Sequence, residues 1–376
     1  MIPQRDLSVL HLGPGRYQPL ARNHVTYEIW SELASGFRDY HVIGRSVGAP
    51  AEWCDGNLRI TLLRSRTKSE AEFLISQFRS VLVALHHKPD VIVCQSPALG
   101  GLAAIVIARL TGAKILMEFH GAEFFVPAKF ASSTWLLQRL TKFAISRADR
   151  IRVLSDGMRR RLLEHYGDSF DTRTSVLSPR VNMARFTCKR VKKLSGPLRL
   201  AMSGAVNANK GQLRLIEALE PVPFELELRL VGEGPDLAAC RERAVMLAKA
   251  HSALRVECKG SLPPDEVASV LRSCDLLVIY SRSEGTPRAA IEAMAAGLPV
   301  VTTNAGFCAD IVAHGIEGFV LGNDPNNEIV DVLTRLNADR TMLTRMGAAA
   351  RRRARHDFDS IRLYEVYRSL IADTAE

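Results

Sequence analysis

The sequence predicts an α/β protein built from two doubly wound domains, and three observations carry that reading. Short apolar runs alternate with helical patterns from Leu7 onward, which requires a parallel sheet with right-handed crossovers. The alternation lapses in a polar, basic stretch from Cys188 to Gly196 and restarts at Leu198. The 376 residues, 47% of them hydrophobic, exceed the size at which a single core stops growing.

Leu7 to Leu12 reads as the first strand. Gly13-Pro14-Gly15-Arg16 follows as a turn before the helical pattern of Val25 to Leu33, and its glycines let the backbone approach a ligand closely. The spacing is not that of a GxGxxG dinucleotide fingerprint. Val42-Ile43 and Leu58 to Leu63 are short strands, Glu70 to Leu85 is apolar at helical spacing, and Val91 to Cys94 is a strand. Leu99 to Leu110 reads as a helix and Ile115 to Met117 as the next strand. Glu118-Phe119-His120-Gly121 follows at once. A histidine at a strand's carboxyl end is placed to project toward a ligand, and neutral imidazole can hydrogen-bond a sugar hydroxyl or a leaving oxygen. From Phe124 to Arg152 aromatic and leucine residues interleave with Lys129, Arg139, Lys142, Arg147 and Arg150. Two readings stay open there: a helix lying in a lipid interface, or a core-facing helix with a solvated basic face. Val153-Leu154-Ser155-Asp156-Gly157 follows, with Ser155 placed to cap the next helix. The first domain is assigned to residues 1 to 186 and the linker to residues 187 to 197.

The second domain, residues 198 to 358, opens with a strand from Leu198 to Met202 and the turn Ser203-Gly204. Lys210-Gly211 precedes an amphipathic helix from Gln212 to Leu219. Leu228 to Val231 leads into Gly232-Glu233-Gly234-Pro235, whose glycines read as turn residues, and Leu254 to Lys259 leads into Gly260-Ser261-Leu262. Pro264 to Ser273 is a helix with an acidic first turn. Leu276 to Tyr280 is then a continuous apolar run of the kind a strand buried on both faces requires. After Ser281 come Glu284, Gly285, Thr286 as helix N-cap, Pro287 at the first helical position and Arg288. A helix opening at a strand's carboxyl edge presents unpaired N–H groups to a phosphate. Glu284 and Glu292 flank that anion site, which suggests a ligand with phosphates in the middle and hydroxyl-rich groups on both sides. Pro299 to Thr302 and Gly318 to Leu321 are later strands, Asp324 to Leu336 and Ala338 to His356 are helical, and a final amphipathic helix runs to Ala372.

The stretch from Ser281 to Val300 resembles the signature S-x-x-E-G-x-P-x-x-x-x-E-A-M-A-x-G-x-P-V of glycosyltransferase family 4, retaining enzymes of the GT-B fold. His120-Gly121 and Lys210-Gly211 match further family positions. The resemblance implies two Rossmann-like domains facing across a cleft, with the C-terminal helix, residues 359 to 376, packing back on the first. It implies that Glu292 binds the ribose of a nucleotide-diphosphate-sugar, Glu284 the donor sugar, His120 the sugar from the opposite domain, and Lys210 the diphosphate. Gly13, Gly15, Gly204, Gly260, Ser261, Leu262, Gly285, Thr286, Pro287 and Arg288 complete the expected donor contacts. The family carries an arginine where this chain has Ala205, so Lys210 acts alone or with Arg16, Arg282 or Arg288. Pro179-Arg180 likewise stands where Asn-Gly is usual. The implied function is sugar transfer to a glycan or lipid-linked acceptor in cell-surface polysaccharide or glycolipid assembly, without metal or cofactor. Two alternatives stay open: a catalytically weakened nucleotide-sugar-binding or scaffold protein, motivated by Ala205, and a sugar-nucleotide epimerase.

Charge and cysteine content bound the setting. The net charge of +10 sits in residues 1 to 190, which carry 27 Lys and Arg against 16 Asp and Glu, while residues 191 to 376 carry 23 against 24. That asymmetry suits an anionic partner, an acidic membrane surface or a lipid-linked acceptor, and no interleaved motif for nucleic acid is present. The seven cysteines form no CxxC pair, which suits reduced thiols in the cytoplasm. No apolar run reaches the ~18 residues of a transmembrane helix, and no signal-peptide core is read at the amino terminus. The expectation is a cytoplasmic protein, peripheral on the inner face of the plasma membrane.

Overall fold

The computed structural model describes residues 6–17, 25–65, 70–121, 131–187, 195–250 and 253–376. The chain forms two compact units, residues 1–177 with 362–376, and residues 178–361.

The first unit is built on β1 (Ser8–Tyr17), β2 (Asp39–Ser46), β3 (Ala51–Asp55), β4 (Leu58–Arg64), β5 (Val91–Cys94), β6 (Lys114–Glu118), β7 (Arg150–Val153) and β8 (Thr174–Val176), in the order β3-β4-β2-β1-β5-β6-β7-β8. All neighbours pair in parallel except β3 and β4. The connections carry α1 (Val25–Ala34), α2 (Glu70–His87), α3 (Leu99–Thr111), α4 (Ala131–Ser146) and α5 (Asp156–Tyr166). Every residue of β5 is buried, as a strand covered on both faces must be. The chain winds outward from β1 to β2 and β4, then returns to β5 on the other side, so a switch point lies between β1 and β5.

Two features of this sheet depart from the sequence reading. The predicted turn at Gly13 to Arg16 lies within β1, whose pairing with β2 shifts register after Leu12 and resumes at Arg16 and Tyr17. Proline and two glycines interrupt the ladder without ending the strand, because β2 still offers an edge. A Cβ at Gly15 would lie 2.4 Å from the Tyr17 ring, so glycine lets that ring fold back over the strand. The antiparallel strand β3 was not anticipated. It joins β4 through Gly56, whose φ of +59° favours glycine, and the Asp55-Gly56 pair is a hairpin signal.

The second unit is built on β9 (Leu198–Ser203), β10 (Leu226–Val231), β11 (Leu254–Gly260), β12 (Leu276–Ile279), β13 (Val300–Thr303) and β14 (Gly318–Leu321), all parallel, in the order β11-β10-β9-β12-β13-β14. Its helices are α6 (Met183–Phe186), α7 (Gln212–Leu219), α8 (Leu237–Lys249), α9 (Pro264–Ser273), α10 (Arg288–Ala295), α11 (Cys308–Ile311), α12 (Pro325–Ala338) and α13 (Thr341–Asp357). One apolar cluster joins α7 and α12 to the sheet through Leu215, Ile216, Leu333 and Val278, and another joins α9 and α10 through Leu271, Ile291, Met294 and Leu277. Val181, Met183 and Phe186 belong to the latter cluster, although the sequence reading ended the first domain at residue 186. Their apolar side chains bury against α9 and α10. Most of the predicted linker lies outside the described residues. The last helix, α14 (Ser360–Thr374), buries Leu363, Tyr367 and Ile371 in the core of the first unit.

The β13 and β14 pair has no room for a side chain at Gly318, where a Cβ would lie 1.8 Å from the Val300 carbonyl oxygen. Gly318→Ala is expected to destabilise the second unit by about 1–3 kcal/mol, read by denaturant unfolding with a probe in that unit.

Candidate functional site

In the second unit β9 lies between β10 and β12, so the loops leaving β9 and β12 emerge side by side at the sheet's carboxyl edge. Hydrogen bonds stitch them together. Asn209 Nδ2 donates to the Ser283 carbonyl at 3.0 Å, and the Arg282 amide donates to the Asn209 carbonyl at 2.8 Å. The Asn207 side chain accepts from the Lys210 amide at 3.0 Å and so sets the turn carrying that lysine. Gly211 follows with φ of +77°, and a Cβ there would meet the Tyr280 carbonyl at 2.6 Å.

Lys210 and Glu284 meet in this geometry. Lys210 Nζ donates to Glu284 Oε1 at 2.6 Å, and Ser281 Oγ donates to the same oxygen at 2.6 Å. The Glu284 side chain is 8% exposed and that of Lys210 29%. An ammonium has three N–H donors, so two remain for another acceptor. β13 supports the loop from beneath: Thr303 Oγ1 donates to the Ser281 carbonyl at 2.7 Å. A Cβ at Gly306 would lie 1.7 Å from the Glu284 carbonyl, so the next loop presses on the backbone of Glu284.

The helix start differs from the sequence reading in register. Pro287 is the N-cap, with extended ψ of 101°, and α10 begins at Arg288. Thr286 does not cap, and its Oγ1 is buried without a hydrogen-bond partner. No side chain caps α10; the Ala290 amide donates to the Pro287 carbonyl at 3.1 Å, and the Arg288 and Ala289 amides at the helix start have no partner within the helix. One turn further on, Glu292 is 23% exposed and its nearest cation is Arg288 at 3.9 Å. Burial pushes the Glu292 carboxyl above the usual carboxylate range, and Arg288 and Arg185 only partly offset it.

Gly204, Ala205 and Val206 follow β9 and lie tightly against the loop after β10. A Cβ at Gly232 would be 1.9 Å from the Gly204 carbonyl, and one at Gly234 2.0 Å from the Val206 carbonyl. The Gly260 carbonyl accepts from the Gly232 amide at 2.8 Å, Glu233 Oε1 accepts from the Ser261 amide at 3.2 Å, and Leu262 packs partly buried on α9 and its neighbours. Arg282 is exposed, Arg288 leans toward Glu292, and the Arg16 side chain lies outside the described residues.

In the first unit His120 follows β6 with its side chain 39% exposed, and its Nε2 lies 2.9 Å from Glu118 Oε2. Gly13 is buried and Gly15 half-buried at the far end of β1. Sequence reasoning gave no role to Ser281, Asn207, Asn209, Thr303, Gly306 or Glu118. Two of them carried a signal: Ser281 is the first fixed residue of the signature from Ser281 to Val300, and Glu118 is a charge directly after an apolar run.

Removing Lys210 leaves the buried Glu284 carboxylate with Ser281 as its remaining side-chain donor. Lys210→Met is expected to cost about 1–3 kcal/mol of stability, and adding Glu284→Gln to restore part of it. Thermal and denaturant unfolding of the wild type and the two variants measures both.

Comparison with known proteins bears on this arrangement. Residues 186–353 match the family of glycosyl transferases group 1, and residues 23–179 match the glycosyl transferase 4-like domain. The uncharacterized glycosyltransferase MJ1178 of Methanocaldococcus jannaschii is 34% identical over 135 residues, 36% of this chain and 37% of that protein. The chain spans 37% and 65% of the length of the first two curated relatives it matches. Among solved structures, Anabaena HepE in complex with UDP and glucose has a TM-score of 0.75 at 16% identity, covering 98% of this chain and 100% of that one. The lipopolysaccharide outer core galactosyltransferase WaaB has a TM-score of 0.71 at 16% identity, covering 98% and 99%. The two parallel-sheet α/β domains thus match GT-B structures, and the chain belongs to the group 1 glycosyltransferases, glycosyltransferase family 4.

Proposed function

We propose that this chain is a retaining glycosyltransferase that moves a sugar from a nucleotide-diphosphate-sugar to a glycan or lipid-linked acceptor in cell-surface polysaccharide or glycolipid assembly. The observation that carries the reading is the Lys210–Glu284 contact beside the uncapped start of α10. An ammonium with donors to spare and the Arg288 and Ala289 amides at the start of α10 suit a diphosphate and would offset negative charge on the leaving nucleotide. Glu284 accepts from sugar hydroxyls, Glu292 from ribose hydroxyls, and His120 contacts the transferred sugar; Gly204, Gly260, Ser261, Leu262, Gly285, Thr286, Pro287 and Arg288 bind the donor, as do Gly13 and Gly15. The acceptor attacks on the face the nucleotide leaves, which keeps the anomeric configuration. The complex of HepE with UDP and glucose supports the donor class, and the lipopolysaccharide substrate of WaaB supports the acceptor class.

One observation favours a second reading, donor binding with weakened transfer. Ala205 has no charge to offer a diphosphate, and its carbonyl is engaged by Gln212 Nε2 at 2.9 Å. Calorimetric binding of a donor without transfer or hydrolysis would select it.

A membrane surface is the proposed location. Helix α4 exposes Leu136, Leu137 and Phe143 beside Arg139, Lys142 and Arg147, while its buried face is Thr141, Ala144 and Ile145. Leu136, Leu137 and Phe143 therefore point outward with the basic residues, which suits an anionic lipid interface on the inner face of the plasma membrane. No helix among the described residues is long and apolar enough to cross a membrane. The lipid-interface call at Phe124 to Phe130 lies outside the described residues.

Glu292→Gln and Lys210→Ala are each expected to lower turnover by about 100-fold or more while the circular dichroism spectrum is unchanged; near-normal rates would refute the assignment. The Glu292 carboxyl takes up its proton above its ordinary value of 4.5. Donor affinity should therefore weaken as pH falls toward that value from above, and Glu292→Gln should flatten the dependence. Stability runs the other way: a carboxyl whose folded pKa is raised favours the folded state below the ordinary range and loses that contribution as pH rises through the shifted pKa. Liposome co-sedimentation is expected to rise with anionic lipid and to fall in Leu136→Ser/Phe143→Ser; binding indifferent to lipid charge would remove the membrane proposal.

A further inference from the structure

Glu118 ends β6 with a fully buried carboxylate, 0% exposed, on which four donors converge. Oε1 accepts from Arg152 Nη1 at 2.8 Å and from the Tyr367 hydroxyl, and Oε2 accepts from Gln95 Nε2 at 3.1 Å and lies 2.9 Å from His120 Nε2. Arg152 belongs to β7, Gln95 follows β5 and Tyr367 belongs to α14. The Arg152 guanidinium also donates to the Leu177 carbonyl at 3.1 Å and lies 4.3 Å over the Tyr367 ring. Taking such a pair out of water is costly unless its remaining hydrogen-bonding groups are satisfied, and here they are. Burial opposes the charge on Glu118, but Arg152 and His120 outweigh it and hold the carboxyl well below the usual range. An ionised carboxylate only accepts, so His120 Nε2 must be the donor in this contact. Nδ1 of the half-exposed ring makes no hydrogen bond to a described residue.

We propose that Glu118 is a positioning residue for His120. It fixes the imidazole with Nε2–H turned inward, so that Nδ1 presents its lone pair outward as an acceptor for a hydroxyl of the transferred sugar. Arg152, Gln95 and Tyr367 hold Glu118 in place, which gives the C-terminal helix a part in the chemistry. An untethered histidine would exchange between tautomers and orientations, and only one tautomer makes Nδ1 the acceptor. The inference rests on the reading of His120 as a sugar contact.

The test begins with the full-length protein labelled with 15N in histidine, without donor. Long-range 1H–15N spectra at alkaline pH are expected to show His120 as the Nε2–H tautomer; the Nδ1–H tautomer, or an averaged mixture, would overturn the proposal. This result does not depend on turnover, so an inactive wild type would remove the transferase reading and leave the tautomer to decide the positioning. With an active wild type, Glu118→Gln is expected to lower kcat by about 10- to 100-fold, and to cost nothing further in a His120→Ala background. Losses that add independently of His120 would make Glu118 a fold support only and would overturn it. If Glu118→Gln fails to fold, Tyr367→Phe, which keeps the ring over Arg152, replaces it in the same cycle with the same two readings.

Discussion

The second unit's site depends on the parallel pairing of β9 with β12. Leu200 and Ala201 lie in register with Leu276 and Leu277, and this pairing brings together loops that are far apart in the chain. Lys210 and Glu284 are 74 residues apart, yet their side chains share a hydrogen bond because the strands before them are neighbours. The apolar character of β12, buried along its whole length, therefore matters as much to the site as the charged residues beyond it. The backbone adds its own constraint: Gly211, Gly306 and Gly318 are positions where a neighbouring carbonyl leaves no room for a Cβ.

The alternation of strands and helices was legible because a strand buried on both faces must be apolar, and β5 and β12 are apolar along their whole length while β6 and β13 carry apolar cores. The motif from Ser281 to Val300 was legible because a helix start, a glycine turn and two carboxylates fall within one local stretch. Its register was less so. Thr286 followed by Pro287 reads as cap and first helical residue, but the extended ψ of Pro287 moves the cap by one, and nothing in the local sequence specifies that angle. The turn predicted at Gly13 to Arg16 became part of a strand because β2 extends alongside it, a tertiary fact. Helix α8 escaped notice because its alanine- and charge-rich sequence buries only Leu237, Cys240 and Leu247 and carries little periodic signal.

Contacts between distant segments were not legible. Tyr367 lies 249 residues from Glu118, and neither residue announces the other. Glu118 is a charge at the end of the apolar run of β6, and its donors from β7, α14 and the loop after β5 show why the fold tolerates it. Each unit thus holds a buried carboxylate within hydrogen-bonding distance of a nitrogen-bearing side chain assigned to the donor, Glu118 with His120 and Glu284 with Lys210. In both pairs the acid limits the freedom of the group it holds. For Lys210 this bears directly on Ala205, since a lysine held in place can serve a diphosphate with less help than a mobile one.

The most direct measurement is a panel of nucleoside-diphosphate sugars incubated with the full-length protein, following binding by calorimetry and release of nucleoside diphosphate by chromatography. At least one donor is expected to bind and to be slowly hydrolysed without an acceptor, and Glu292→Gln to bind it more weakly and to hydrolyse it about 100-fold or more slowly. A folded protein that binds no nucleoside-diphosphate sugar would contradict that expectation.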